Sequence, residues 1–258
     1  MSYFDTRTRA PRGSFAPSAV FLGIVAVFVL AGALAWFRKG DDGFNVFLFV
    51  VFGWLVSLCL HEYAHALVAY FGGDYGVIHR GYLHLNPIKY ANGFISIALP
   101  LIFIILGGIA LPGGAVLIDH HRLRNKRWDT YVSLAGPAVN VICAAVLIAP
   151  FAAGVDLNAH PVFWSAVAYL AFFQVMAAIL NLLPIPGLDG GNAVYPWLNN
   201  EYRRGFDAVR PWGFLLAFAL IYLFRNRLFL WLYELMQSLG VSPFVISSGD
   251  ILFRFWSH

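Results

Sequence analysis

The sequence predicts an all-α polytopic membrane protein. Its 258 residues are 60% hydrophobic and only 12% charged, with a mean hydropathy of +0.71, whereas a soluble domain carries about 25% charged residues. Several apolar stretches approach the roughly 20 residues that a spanning helix needs, and short charged or glycine-rich turns separate them. Little chain is left for a separate soluble domain. The net charge of +4 is small, and its placement fits orientation in a bilayer rather than nucleic-acid binding. Cys59 and Cys143 fall inside expected spans and lack metal-site spacing, so they read as small core residues rather than a disulfide.

Residues 1–17 are polar, with Arg7, Arg9 and Arg12 and two prolines, and read as a cytoplasmic leader. Ser18 to Phe37 is the first apolar run, and it closes on Ala-Gly-Ala-Leu-Ala. A basic start and small residues near the end are also features of a signal peptide, but a run of about 20 residues exceeds the usual hydrophobic region. An uncleaved span is therefore expected, with its charged turn completing a first unit at 18–43. A second apolar run covers Phe44 to Phe71 and stops at Gly72-Gly73, a helix C-cap signal.

Inside this second run lies His61-Glu62-Tyr63-Ala64-His65. Residues four apart share one face of a helix, so His61 and His65 can hold one zinc ion, with Glu62 beside them to take a proton from water. Ionisable groups in a span are costly and usually functional; the bland alternative is a polar patch packed between helices. Counted along the helix, the pair sits roughly 10–15 Å below its C-terminal end.

Residues 74–90 read as a loop, and His79 and His84 as surface or interfacial residues. Ala91 to Ile118 is uncharged but broken by Pro100, Gly107-Gly108 and Pro112-Gly113-Gly114; it either spans or re-enters. Asp119 to Asp129 is densely charged and reads as a headgroup-facing loop, so His120 and His121 are not taken as ligands. Val132 to Ala152 is the next span, opening with Gly136-Pro137-Ala138-Val139-Asn140. Asn140 is either an interhelical hydrogen-bonding group or a residue of a cleft.

Val162 to Leu183 follows and runs into Pro184-Ile185-Pro186-Gly187-Leu188-Asp189-Gly190-Gly191. These prolines and glycines exclude a regular helix, and irregular backbone at membrane depth is tolerated only against protein or a water-filled cavity. Asp189 is a candidate third zinc ligand, since catalytic zinc takes three protein ligands; Asp-Gly is also a common turn pair. Residues 193–210 are amphipathic. The apolar region after Trp212 is interrupted by Arg225-Asn226-Arg227. It forms either one crossing helix or a short span followed by an interfacial helix. The tail from Val241 reads as interfacial.

Parity tests the site. If His61, His65 and Asp189 share a metal, the ends of their helices face one side, and residues 91–118 must re-enter rather than span. That arrangement puts 12 Lys and Arg on the side of the N-terminus and the site, against 2 on the other. Positive residues mark the cytoplasmic side.

Three motifs now resemble the site-2 protease family of intramembrane zinc metalloproteases. They are His-Glu-Tyr-Ala-His at 61–65, Gly-Pro-x-x-Asn at 136–140 and Asn-Leu-Leu-Pro-Ile-Pro-x-Leu-Asp-Gly at 181–190. The resemblance covers residues 44–192, the family's three-helix catalytic core, with 193–258 as a further linker, helix and tail. It is nearest to compact members without a PDZ domain. Gly187 stands where many relatives have a third proline, and Tyr90-Ala91-Asn92-Gly93 replaces an acidic pattern.

The resemblance implies one Zn2+ per chain on His61, His65 and Asp189, with Glu62 as catalytic base and Asn140 positioning substrate. It also implies a single-span membrane protein as substrate, and a prokaryotic inner membrane with the site toward the cytoplasm. Two rival readings are a catalytically silent zinc-binding or chaperone-like membrane protein and a metal transporter. Silent zinc sites need four closed ligands and no base, and a transporter calls for acidic or histidine ligands that the other spans lack.

Overall fold

A computed structural model describes residues 13–90 and 116–257. Among these, five helices are long and apolar enough to cross a membrane. Helix α1 covers Ala19–Phe37 and α2 Asp42–Gly72. They are followed by α3 at Lys126–Ala152 and α4 at Pro161–Leu182. Two short helices, α5 (Asp189–Val194) and α6 (Asn200–Val209), lead to α7, Gly213–Ser238, and α8 covers Pro243–Phe253.

Small polar residues define the starts. The Phe21 amide donates to Ser18 Oγ, the Phe44 amide to Asp41 Oδ1, and the Arg127 amide to Asn125 Oδ1. Each satisfies a donor that the first helical turn leaves without a partner. Gly73 ends α2 at φ 119°, a left-handed conformation that glycine adopts without strain.

The centre of the bundle is α4. In its most apolar stretch 89% of residues are buried, against 17% for α7, so α7 is an outer helix facing lipid. Close crossings need small residues: a Cβ on Gly53 of α2 would collide with Leu170 of α4 and crowd Phe28 of α1. Packing around α4 includes Phe172, Phe173, Leu232, Ile246 and Phe253, all essentially inaccessible.

The direction of each crossing follows from contacts at the helix ends. Gly72, closing α2, accepts from the Arg124 amide at 3.0 Å, just before α3 begins. Asp74 Oδ2 accepts from the Asp119 amide at 2.9 Å. The chain between α2 and α3 therefore leaves and returns on one side, as parity requires. The path at 91–115 lies outside the described residues, and so does the re-entrant reading of it. Ser18, opening α1, donates its amide to His84 on that same side. At the other end Gly240, after α7, packs against Ala152 at the close of α3. The N-terminal end of α1 thus shares a side with the C-terminal ends of α2 and α4, while α8 lies at the opposite end.

One expectation is revised. Pro137 is not near a helix start: α3 begins at Lys126, a full eleven residues earlier, because Asn125 caps it. Of the two readings of the last apolar region, the single helix is the one observed: Arg225 and Arg227 lie within continuous α7, and both are exposed and carry their charge outward. The tail from Val241 contains a packed helix. Its α8 packs on α4, with Gly249 against Ser165 and Tyr169 and the Tyr169 hydroxyl donating to Asp250 at 2.6 Å.

This topology makes a labelling prediction. With Cys59 and Cys143 replaced by alanine, single cysteines at the exposed Ile88 and Glu201 should react with an impermeant maleimide from one side of sealed vesicles. A cysteine at exposed Asn158 should react only from the other. Shared sidedness of Ile88 and Asn158 would overturn the crossing order.

Candidate metal centre and catalytic base

His61 and His65 lie on the face of α2 that packs against α3, and both are buried. Asp189 arrives from the far end of the chain. After Leu182 the backbone turns at Pro184–Gly187 and restarts as α5 with Asp189 at its first position. Two glycines let this turn fold back on itself: a Cβ on Gly190 would strike the Leu182 carbonyl, and one on Gly191 the Ile185 carbonyl. Gly187 has φ 93°, which explains why proline, fixed near −65°, does not stand there. Thr130 of α3 holds α5 in place by donating from Oγ1 to the Ala193 carbonyl at 2.9 Å.

The result is a triangle of ligand atoms. His61 Nε2 and His65 Nε2 are 3.0 Å apart, and Asp189 Oδ2 is 3.1 Å from the first and 3.4 Å from the second. Ligands about 2.0–2.1 Å from a tetrahedral zinc are separated by about 3.3 Å, so this triangle has the dimensions of one face of such a site. Protonation points the same way. His61 Nδ1 is 2.6 Å from Asn140 Oδ1, and His65 Nδ1 is 2.6 Å from the Val132 carbonyl oxygen. Facing acceptors, both Nδ1 atoms carry hydrogen, which in a neutral imidazole leaves each Nε2 as a bare lone pair. Asp189 Oδ2 is buried and finds no hydrogen-bond donor among the described residues. Three acceptors converging in an apolar bundle call for a cation, and the residues fit a metal ion.

Space for it comes from Gly136. A Cβ there would overlap Nε2 of both histidines, so the glycine of the Gly-Pro-x-x-Asn motif keeps the metal position open. Beside it is a cavity of about 160 Å³ lined by Glu62, His65, Val116, Ser133, Asp189 and Asn192, among others. Glu62 is buried, and its Oε2 accepts from the Val116 amide at 3.0 Å.

All five residues singled out in the sequence lie in or against this site. Asn140 does so through His61: its Oδ1 faces that ring and its Nδ2 donates to Gln174 Oε1 at 3.0 Å. His84 is elsewhere, its Nδ1 near the Ala16 carbonyl. His120 stands at the cavity edge, with Nδ1 engaged by Asp129. Four participants escaped the sequence reading: Val132 and Val116, which act through backbone groups, and Gln174 and Ser57. A lone amide in an apolar span was the available signal for Gln174.

Similarity to known proteins agrees with this geometry. The chain is 46% identical over 257 residues to "Putative zinc metalloprotease Rip2" of Mycolicibacterium smegmatis, covering 96% of this chain and 98% of that one. Its identity to the protein of the same name in Mycobacterium tuberculosis strain H37Rv is 43% over 254 residues, with 95% and 96% covered. The chain belongs to the site-2 protease family. A more distant member of this similarity group is "Putative zinc metalloprotease YwhC" of Bacillus subtilis, 29% identical over 187 residues, which span 67% of this chain and 79% of that one. No family model matches the chain, and no solved structure does. The protein is a membrane-embedded zinc metalloprotease of compact form.

Gly136→Ala tests the fit. The added methyl group presses on Nε2 of both histidines, so zinc affinity should fall by about tenfold or more although all three ligand side chains remain. Chelator competition on the purified variant measures it, and an unchanged affinity would place the metal elsewhere.

Proposed function

We propose that the protein hydrolyses peptide bonds in or next to the membrane-spanning segments of single-span membrane proteins. The observation that carries this reading is the position of Glu62. A buried carboxylate lines one cavity with two of the three ligands, His65 and Asp189, within a bundle of apolar helices. His61, His65 and Asp189 would hold one zinc ion, which when bound would supply Lewis acidity to water and to the scissile carbonyl. Glu62 takes the proton of the attacking water and returns it to the leaving amine. The Val116 amide, bonded to Oε2, fixes where that carboxylate stands. Gly187, Val116 and Ile118 bound the cavity, and a substrate helix must unwind locally to present a bond there, because helical hydrogen bonds cover its backbone.

The site faces the cytoplasm in a prokaryotic inner membrane. Support comes from Arg80, Lys89, Arg122, Arg124, Arg203 and Arg210, which all lie on the side of the site, consistent with the positive-inside rule. The catalytic carboxylate favours a protease over a silent zinc-binding relative, because a structural site is closed by four ligands and needs no base.

Two measurements test the assignment. Zinc per purified monomer should be about one in the wild type and in Glu62→Gln, and should be lost in His61→Ala, His65→Ala and Asp189→Ala. Profiling of new protein termini in cells should find cleavages within spans that depend on the wild type and fall by about 10²–10⁴-fold with Glu62→Gln. Cleavage that persists in Glu62→Gln would remove the base; zinc retained in Asp189→Ala would remove the third ligand.

A further inference from the structure

We propose that Gln174 and Ser57 set the direction of the Asn140 amide and, through it, the tautomer in which His61 presents Nε2 to the metal. The inference rests on the metal centre described above and concerns what holds one of its ligands in the competent form.

The two histidines are secured differently. The partner of His65 Nδ1 is a backbone carbonyl, which can only accept, so that ring has one possible arrangement. The partner of His61 Nδ1 is a side-chain amide, which is an acceptor at one end and a donor at the other. Turned over, Asn140 would donate to Nδ1, and the ring hydrogen would move to Nε2, pointing at the metal position. Nothing in Asn140 itself prevents this.

A buried chain of hydrogen bonds prevents it. Asn140 Nδ2 donates to Gln174 Oε1 at 3.0 Å, Gln174 Nε2 donates to Ser57 Oγ at 2.7 Å, and Ser57 Oγ donates to the Trp54 carbonyl at 2.8 Å. Counting from His61, the chain has four bonds and ends on a backbone oxygen. Reversed, it has three, because Ser57 must then donate to Gln174 and abandon Trp54. The terminal carbonyl therefore gives the whole chain a direction. Gln174 is 0% exposed and Ser57 4%, so water cannot substitute for a lost member. Neither residue is a ligand: Gln174 joins the chain from α4, and Ser57 from one turn before His61 on α2. Outer partners of this kind orient metal-bound histidines and affect affinity by about 10–100-fold.

The experiment uses metal-free full-length protein titrated with Co2+, reading affinity and the visible absorption of bound cobalt. Gln174→Leu removes the directing partner and should weaken binding about tenfold. Asn140→Asp offers His61 a carboxylate, which can only accept and needs no direction. In the Asn140→Asp background, Gln174→Leu should therefore cost nothing, and the cobalt spectrum should match that of Asn140→Asp alone. Thermal unfolding followed by tryptophan fluorescence confirms that each variant is folded. An unchanged affinity in Gln174→Leu would overturn the proposal. So would an equal loss in both backgrounds, the signature of damaged packing rather than a misdirected amide. A wild type that binds no cobalt would instead remove the metal centre itself, and this inference with it.

Discussion

Three lone pairs aimed at one point, in a place where water is scarce, form the constraint on which the structure turns. His61 Nε2, His65 Nε2 and Asp189 Oδ2 repel one another unless a cation sits between them. Much of the surrounding architecture serves to hold that unfavourable arrangement ready. Acceptors behind each Nδ1 keep the rings in the required tautomer. Gly136 leaves the centre empty of side-chain atoms, and the turn after α4 delivers a carboxylate from more than a hundred residues away in sequence. In an oil-like bundle each of these polar groups needs a designated partner, since an unmet buried donor or acceptor costs about 1–3 kcal/mol.

The division of labour among the helices follows. Helix α4 carries no ligand, yet it is the most buried span. It supplies the wall against which α2 and α3 are registered, and Gln174 supplies its polar contact with both. Helices α2 and α3 carry the donors and the groups that orient them, while α7 screens the assembly from lipid and contributes little to the centre. Rigid spans thus hold two ligands, and a glycine-permitted turn holds the third.

What could be read from the sequence was the part written in side chains. His61, Glu62, His65 and Asp189 stand out because ionisable residues in apolar runs are rare, and the capped, uninterrupted run around them defines α2. Prolines and glycines announced the break before Asp189. Three features were not legible for physical reasons. The roles of Val132 and Val116 are those of backbone groups, which any residue could supply. The continuity of α7 through Arg225 and Arg227 depends on both side chains facing outward, and composition alone does not specify that. The docking of α8 on α4 depends on Gly249 admitting the Ser165 backbone, a tertiary fit with no local pattern. Whether residues 91–118 span or re-enter is argued in the sequence only through parity and charge.

The pinned ends of the stretch between α2 and α3 carry an evolutionary consequence. Asp74 meets Asp119, and Gly72 meets Arg124, so the two ends of the connection are tied together, and His84, Tyr90 and Val116 are held as well, by Ser18, Cys59 and Glu62. Lengthening such a loop is cheap, about 0.6 kcal/mol for each doubling, and does not disturb the register of the helices it joins. An insertion between the held points leaves the ends of α2 and α3, and with them the metal geometry, where they are.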